Sequence, residues 1–154
     1  MVVDILAATT VVLEGHSSRA VDILAATTVV LQGHSSRTDA KSRAGLYVAL
    51  GRGPTLWKSR KQKSVTKSSC EAETLALSDM ASMVIWMRDA IEEMNMTKTQ
   101  PITIYEDNKA AIQLVSNGMS TSDRSRRIHV RNNFVGQFVE NGQIKVVHCP
   151  TKYM

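Results

Sequence analysis

Cysteine, proline and aromatic residues are all sparse in this chain, which has two cysteines, three prolines, two tryptophans, three tyrosines and two phenylalanines among 154 residues. Cys70 and Cys149 are too few for a disulfide framework and point to a reducing, intracellular setting, cytoplasm or nucleus. They make no zinc site either. His148 and Cys149 are neighbours on a strand-like run and so face opposite ways, and with His129 or Cys70 they match no compact zinc spacing. No stretch reaches the roughly 20 charge-free apolar residues of a membrane helix, so no membrane partner is expected. The apolar N-terminal runs are short and each carries an aspartate. Met1 is followed by Val-Val-Asp instead of the basic opening of a signal peptide. A Gly-x-Ser-x-Gly elbow and a Walker-type loop are also missing, which removes the serine-hydrolase and phosphate-loop classes.

What remains is an ordinary globular composition, 43% hydrophobic and 21% charged. The length suits one α/β domain with a core between two or three layers. Nineteen Lys+Arg against fourteen Asp+Glu leave a net charge of +5, a lean toward a polyanionic partner.

The N-terminus is a direct repeat. Val3–Arg19 (VDILAATTVVLEGHSSR) recurs as Val21–Arg37 (VDILAATTVVLQGHSSR), with Glu14 against Gln32 as the sole difference. Two copies are too few for a solenoid, which needs about three stacked units, so a local duplication is the reading. Each copy is a β-branched apolar run closed by Gly-His-Ser-Ser, which favours a strand and leaves a short helix open.

Beyond Ser42 the punctuation sharpens. Leu46–Leu50 and Thr55–Lys58 read as strands joined by a Gly51-Arg52-Gly53-Pro54 hairpin loop. The acid-free stretch Trp57–Lys67 follows. A long helix is predicted from about Ser69 to Met94, opened by a Ser68/Glu71 capping box. Leu77, Met80, Val84, Met87, Ile91 and Met94 form its apolar stripe. Pro101 introduces a strand over Ile102–Tyr105. Helices are expected over Asn108–Ser116 and Ile128–Glu140, and a last strand over Gln143–Cys149.

Taken in order, several of these segments resemble the ribonuclease-H-like domain of copia-type retrotransposon Pol polyproteins. They are Leu56-Trp57-Lys58-Ser59-Arg60-Lys61-Gln62, Lys67-Ser68-Ser69-Cys70-Glu71-Ala72-Glu73, Ile104-Tyr105-Glu106-Asp107-Asn108-Lys109-Ala110-Ala111-Ile112, Ser122–Phe134, Gly142-Gln143-Ile144 and Cys149-Pro150-Thr151. The resemblance runs from Asp39 to Met154. It divides the chain into a duplicated segment, 1–38, either copy of which is a candidate for the first strand, and a ribonuclease-H-like domain, 39–154, without its C-terminal helix. It implies a five-stranded mixed sheet with helices packed on it. It also implies a two-Mg²⁺ nuclease acting on the RNA strand of RNA–DNA hybrids, beside the reverse transcriptase portion of the parent polyprotein.

Two Mg²⁺ ions about 4 Å apart would activate water and stabilise a leaving oxygen, and holding them takes converging carboxylates. The family uses four. One turn back from Leu77 the apolar stripe reaches Glu73, which leans toward the sheet, whereas Glu71 faces away. Glu73 and Asp107 are the expected metal ligands. The blander roles are a first-turn acid on the helix dipole for Glu73 and an N-cap for Asp107, which Asn108 could take over. The first-strand acid is the difficulty, because the window Thr28-Val29-Val30-Leu31 holds none. Asp22 could substitute through an altered register and is kept as a third catalytic candidate, while Asp39 is expected to be solvated. The family's fourth aspartate follows the Pro-Thr-Lys motif, where this sequence reaches Met154. Hydrolysis by this chain is therefore expected to be negligible. Lys58, Arg60, Lys61 and Lys63, and Arg124, Arg126, Arg127 and Arg131, are candidate phosphate contacts or else solvated faces. Arg127 stands where the family usually has histidine. The competing class is a non-catalytic module that binds nucleic acid or a protein, and an open reading frame without a role is the third.

Overall fold

The structure, a computed structural model, describes residues 25–29, 41–50, 53–66, 68–94, 101–116 and 126–150. Five strands and three helices alternate along them: β1 (Ala25–Val29), β2 (Arg43–Leu50), β3 (Gly53–Lys61), α1 (Ser69–Glu93), β4 (Ile102–Glu106), α2 (Lys109–Ser116), α3 (Arg126–Glu140) and β5 (Ile144–His148). The strands form one mixed sheet in the order β3-β2-β1-β4-β5. β1, β2 and β3 run antiparallel, whereas β4 lies parallel to both β1 and β5. β1 comes from the second copy of the repeat. The first copy, with its own Thr-Thr-Val-Val run, lies outside the described residues.

The β2–β3 hairpin is longer than its apolar residues suggest. Pairing extends from Leu50↔Gly53 to Arg43↔Lys61, and Gln62 N donates to Ser42 O at 2.8 Å beyond the last pair. Backbone pairing carries β3 through the polar run Lys58–Lys61, which side-chain patterning alone would leave as loop. The expected loop shrinks accordingly, because Gly53 and Pro54 already pair with Leu50 and Ala49. Pro54 is tolerated because β3 is an edge strand, and the exposed Lys58, Arg60 and Lys61 protect that edge from further pairing.

α1 starts where the capping box places it, with Glu71 N donating to Ser68 Oγ at 3.2 Å. Leu77, Met80, Val84, Met87 and Ile91 are all buried. Met94 is not. It is the C-cap residue, 59% exposed, so the stripe ends one turn earlier than its periodicity suggests. The helix packs on β1, β2 and β4 and against α3, and Leu77, Met80, Val84 and Met87 form one core with Val48, Ile102, Ile104, Val115, Val135 and Ile144. α3 begins at Arg126, two residues earlier than its first apolar residue implied. After α3 the chain reverses at Gly142, whose φ of 67° lies in the left-handed region. Gly142 N and Gln143 N bond back to Val139 O and Phe138 O at 3.0 and 2.9 Å, and β5 follows.

Candidate metal centre and basic surface

β4 buries alternate residues, Ile102, Ile104 and Glu106, so the face that feeds the core ends on a carboxylate. Asp107 follows at the strand's end. Asn108 then caps α2, its Oδ1 accepting from Ala110 N at 3.0 Å and Ala111 N at 3.2 Å. The cap thus falls to Asn108, and Asp107 is not needed for it. α1 crosses above this end of the sheet and brings in Glu73. Ligand oxygens of Glu73, Glu106 and Asp107 all lie within 4.8 Å of one another.

Three acids this close in a low-dielectric pocket repel one another and are poorly solvated. Burial, then the charges of Glu106 and Asp107, push the Glu73 carboxyl up to about 9. Burial likewise pushes Glu106 up to about 8, with Asp107 adding repulsion. The backbone N–H groups of Asn108 and Asp107 pull Glu106 the other way without cancelling the effect. Asn108 N donates to Glu106 Oε1 at 3.2 Å. The second oxygen of each glutamate, Glu73 Oε2 and Glu106 Oε2, is buried with no hydrogen-bond partner. The nearby Cys149 thiol is also raised, first by burial and then by Asp107. Cys149 N holds the end of β4 in place by donating to Glu106 O at 3.0 Å.

Glu73 and Asp107, chosen from the sequence, therefore converge. Asp22 lies outside the described residues. β1 itself, Ala25–Val29, contains no acid; its parallel register pairs Thr27 with Tyr105, so its site-facing end consists of Thr28 and Val29. Glu106 was missed. The signal for it was the period-two run from Ile102, which carries the buried face two residues past Ile104.

The basic residues are arranged around α1. Lys58, Arg60 and Lys61 lie on β3 and Lys63 just beyond it, all exposed. Arg126 opens α3 and is exposed, Arg127 is in the same turn, and Arg124 lies outside the described residues. The two clusters meet at a residue that sequence reasoning did not single out. Asp79, on α1, pairs with Arg60 and, at 2.6 Å, with Arg131.

No family model matches the chain. Among solved structures it resembles an RNase H1 from a compost metagenome, LC11-RNase H1 (TM-score 0.60, 12% identity, 85% of this chain and 86% of that one). It also resembles RNase H1 from the halophilic archaeon Halobacterium salinarum NRC-1 (TM-score 0.52, 15% identity, 83% and 86%). A further structure of LC11-RNase H1, in complex with an RNA/DNA hybrid, aligns with a TM-score of 0.54 at 10% identity over 84% of this chain and 86% of that one. Identities this low establish the fold alone. Among curated proteins, the retrovirus-related Pol polyprotein from transposon RE1 of Arabidopsis thaliana is 35% identical over 113 residues, covering 73% of this chain. That from transposon TNT 1-94 of Nicotiana tabacum is 29% identical over 111 residues, covering 72%. The chain belongs to the copia-type Pol family, in its ribonuclease-H-like domain. It spans about 8% of the length of those polyproteins.

In this copia-type domain the donor set fits a hard divalent cation. Every donor is a carboxylate oxygen, each glutamate has one oxygen buried without a partner, and neither glutamate has an ion-pair partner among the described residues. None of the described helices is long and apolar enough to cross a membrane.

Proposed function

We propose that this ribonuclease-H-like domain binds RNA–DNA hybrid and a divalent cation, Mg²⁺ in the cell, and hydrolyses the RNA strand negligibly. The observation that carries the reading is the carboxylate cluster at the end of β4, beside a first strand that supplies no acid. In this reading Glu73 and Asp107 are the metal ligands. A bound pair of such ions would activate water and stabilise the leaving oxygen of an in-line displacement. Glu73 and Asp107 would neutralise and orient the cation charge from the helix side and the β4 side. The described part of β1, Ala25–Val29, contains no acid to fix a second position. Losing carboxylates weakens ion binding and misplaces charge at the transition state, which removes most of the rate enhancement.

Lys58, Arg60, Lys61 and Lys63 on one side of α1, with Arg126, Arg127 and Arg131 on the other, would follow the phosphates of the hybrid, and Arg124, outside the described residues, remains a candidate from the sequence. That LC11-RNase H1 has been captured with RNA/DNA hybrid supports this choice of ligand. Beside the reverse transcriptase portion of a parent polyprotein, such a domain would hold the hybrid that reverse transcription produces. A second reading, a binding module without metal chemistry, is favoured by the acid-free β1.

Incubating the chain with labelled hybrid in Mg²⁺ or Mn²⁺ tests the proposal. No cleavage above blank is expected, together with hybrid binding that weakens steeply with added salt. Turnover abolished by Glu73→Gln would overturn the claim of inactivity. Binding indifferent to salt would count against phosphate contacts.

A further inference from the structure

We infer that Glu106 is a third metal ligand, so that Glu73, Glu106 and Asp107 hold a single divalent cation between α1 and the end of β4. The inference rests on the metal reading above and goes beyond it in adding a ligand from β4 itself.

Strand geometry puts Glu106 there. It follows Ile102 and Ile104 on the buried face of β4, is 0% exposed, and lies under the second turn of α1, where Glu73 is 5% exposed. An ionised carboxylate at such a position is strongly unfavourable unless something compensates its charge. The protein compensates only one side of the group. Asn108 N donates to Oε1, and Oε2 is left buried with no partner. Glu73 Oε2 is in the same condition. These two glutamates, on two elements, form one cluster with Asp107, in which a carboxylate oxygen of each lies within 4.8 Å of the others. Around an octahedral cation with metal–oxygen bonds of about 2.1 Å, neighbouring ligand oxygens sit about 3 Å apart and opposite ones about 4 Å apart. The 4.8 Å upper bound on the cluster lies within about 1 Å of the spacing of opposite ligands.

The backbone is already fixed for this role. Cys149 N holds Glu106 O, and Asn108 both caps α2 through its side chain and directs the Glu106 carboxylate through its N–H. Oε1 is thereby held by the backbone, while Oε2 has no hydrogen-bond partner. Glu73 and Asp107 supply the other two sides, and water would complete the coordination, as Mg²⁺ and Mn²⁺ commonly require. An all-carboxylate set selects such hard cations over Zn²⁺. The competing explanation is that Glu73 and Glu106 simply share protons in a dry pocket and bind no metal.

Mn²⁺ binding to the intact chain, followed by electron paramagnetic resonance, separates these. The wild-type chain is expected to bind one Mn²⁺, and Glu106→Gln to weaken that binding by at least about tenfold, since even losing a group that only supports a ligand costs about 10–100-fold. Circular dichroism and thermal melting in metal-free buffer check that the variant is folded. Unchanged Mn²⁺ affinity in folded Glu106→Gln, with affinity lost in Glu73→Gln, overturns the role of Glu106 and leaves the metal reading standing. No Mn²⁺ bound by the wild type overturns both. If Glu106→Gln does not fold, carboxylate ¹³C resonances of the wild type during a Mg²⁺ titration decide. Glu73 and Glu106 should shift with one midpoint, and a stationary Glu106 refutes the inference.

Discussion

Glu73→Gln in metal-free buffer should make the domain less sensitive to alkali, and the size of the effect follows from the site. In the unfolded chain the Glu73 carboxyl ionises near its ordinary value of 4.5, whereas in the folded chain burial and its acidic neighbours raise it to about 9. Between those limits the folded state holds one more proton than the unfolded state. The stability from this group is therefore fully present below pH 4.5 and is lost as pH rises toward 9. The slope is about 1.4 kcal/mol per pH unit. Glu106, raised to about 8, adds a similar slope over its own range. From pH 5.5 to 7.5 the wild type should lose about 5 kcal/mol from the pair, or somewhat less because the two groups interact. Glu73→Gln should recover about half of that loss. Urea unfolding across this range measures it, with the difference in slope as the readout. The slope matters more than the absolute stability, since a buried glutamine amide left without partners costs about 1–3 kcal/mol at every pH. Parallel wild-type and variant curves would refute the assignment of a buried, protonated Glu73.

Two further outcomes test other parts of the structure. Asp79→Asn releases Arg60 and Arg131 and removes a negative charge between the basic clusters, so hybrid binding measured by fluorescence anisotropy should tighten about threefold or more at low salt. It should cost no more than about 1 kcal/mol of stability per partly exposed pair, and weaker binding would show that Asp79 poses the arginines for the ligand. Leu77→Ala, in the middle of the buried face of α1, should cost about 2–5 kcal/mol in chemical denaturation, and a loss below about 1 kcal/mol would contradict its place in the core.

Much of this protein is decided by local chemistry and is legible along the chain. Ser68 with Glu71, and Asn108 with Ala110 and Ala111, satisfy helix-end N–H groups through bonds spanning two or three residues. Leu77 to Ile91 recur at helical spacing, and a turn back from them gives Glu73 its direction. The ordered motifs likewise pointed to the copia-type family and to Asp107. What only the tertiary structure decided involves partners distant in sequence. The two repeat copies differ at one position outside their Ala-Ala-Thr-Thr-Val runs, so they share local preferences. Pairing with β2 and β4 made the second copy β1. Asp79 joins Arg60 and Arg131, nineteen and fifty-two residues away, a contact that no local pattern encodes. Glu106 lies one residue past the strand expected over Ile102–Tyr105, and its burial beneath α1 appears only in the fold. Burial is a property of what packs above a residue, so its orphaned oxygen, and with it the third side of the candidate metal centre, became visible only in the folded chain.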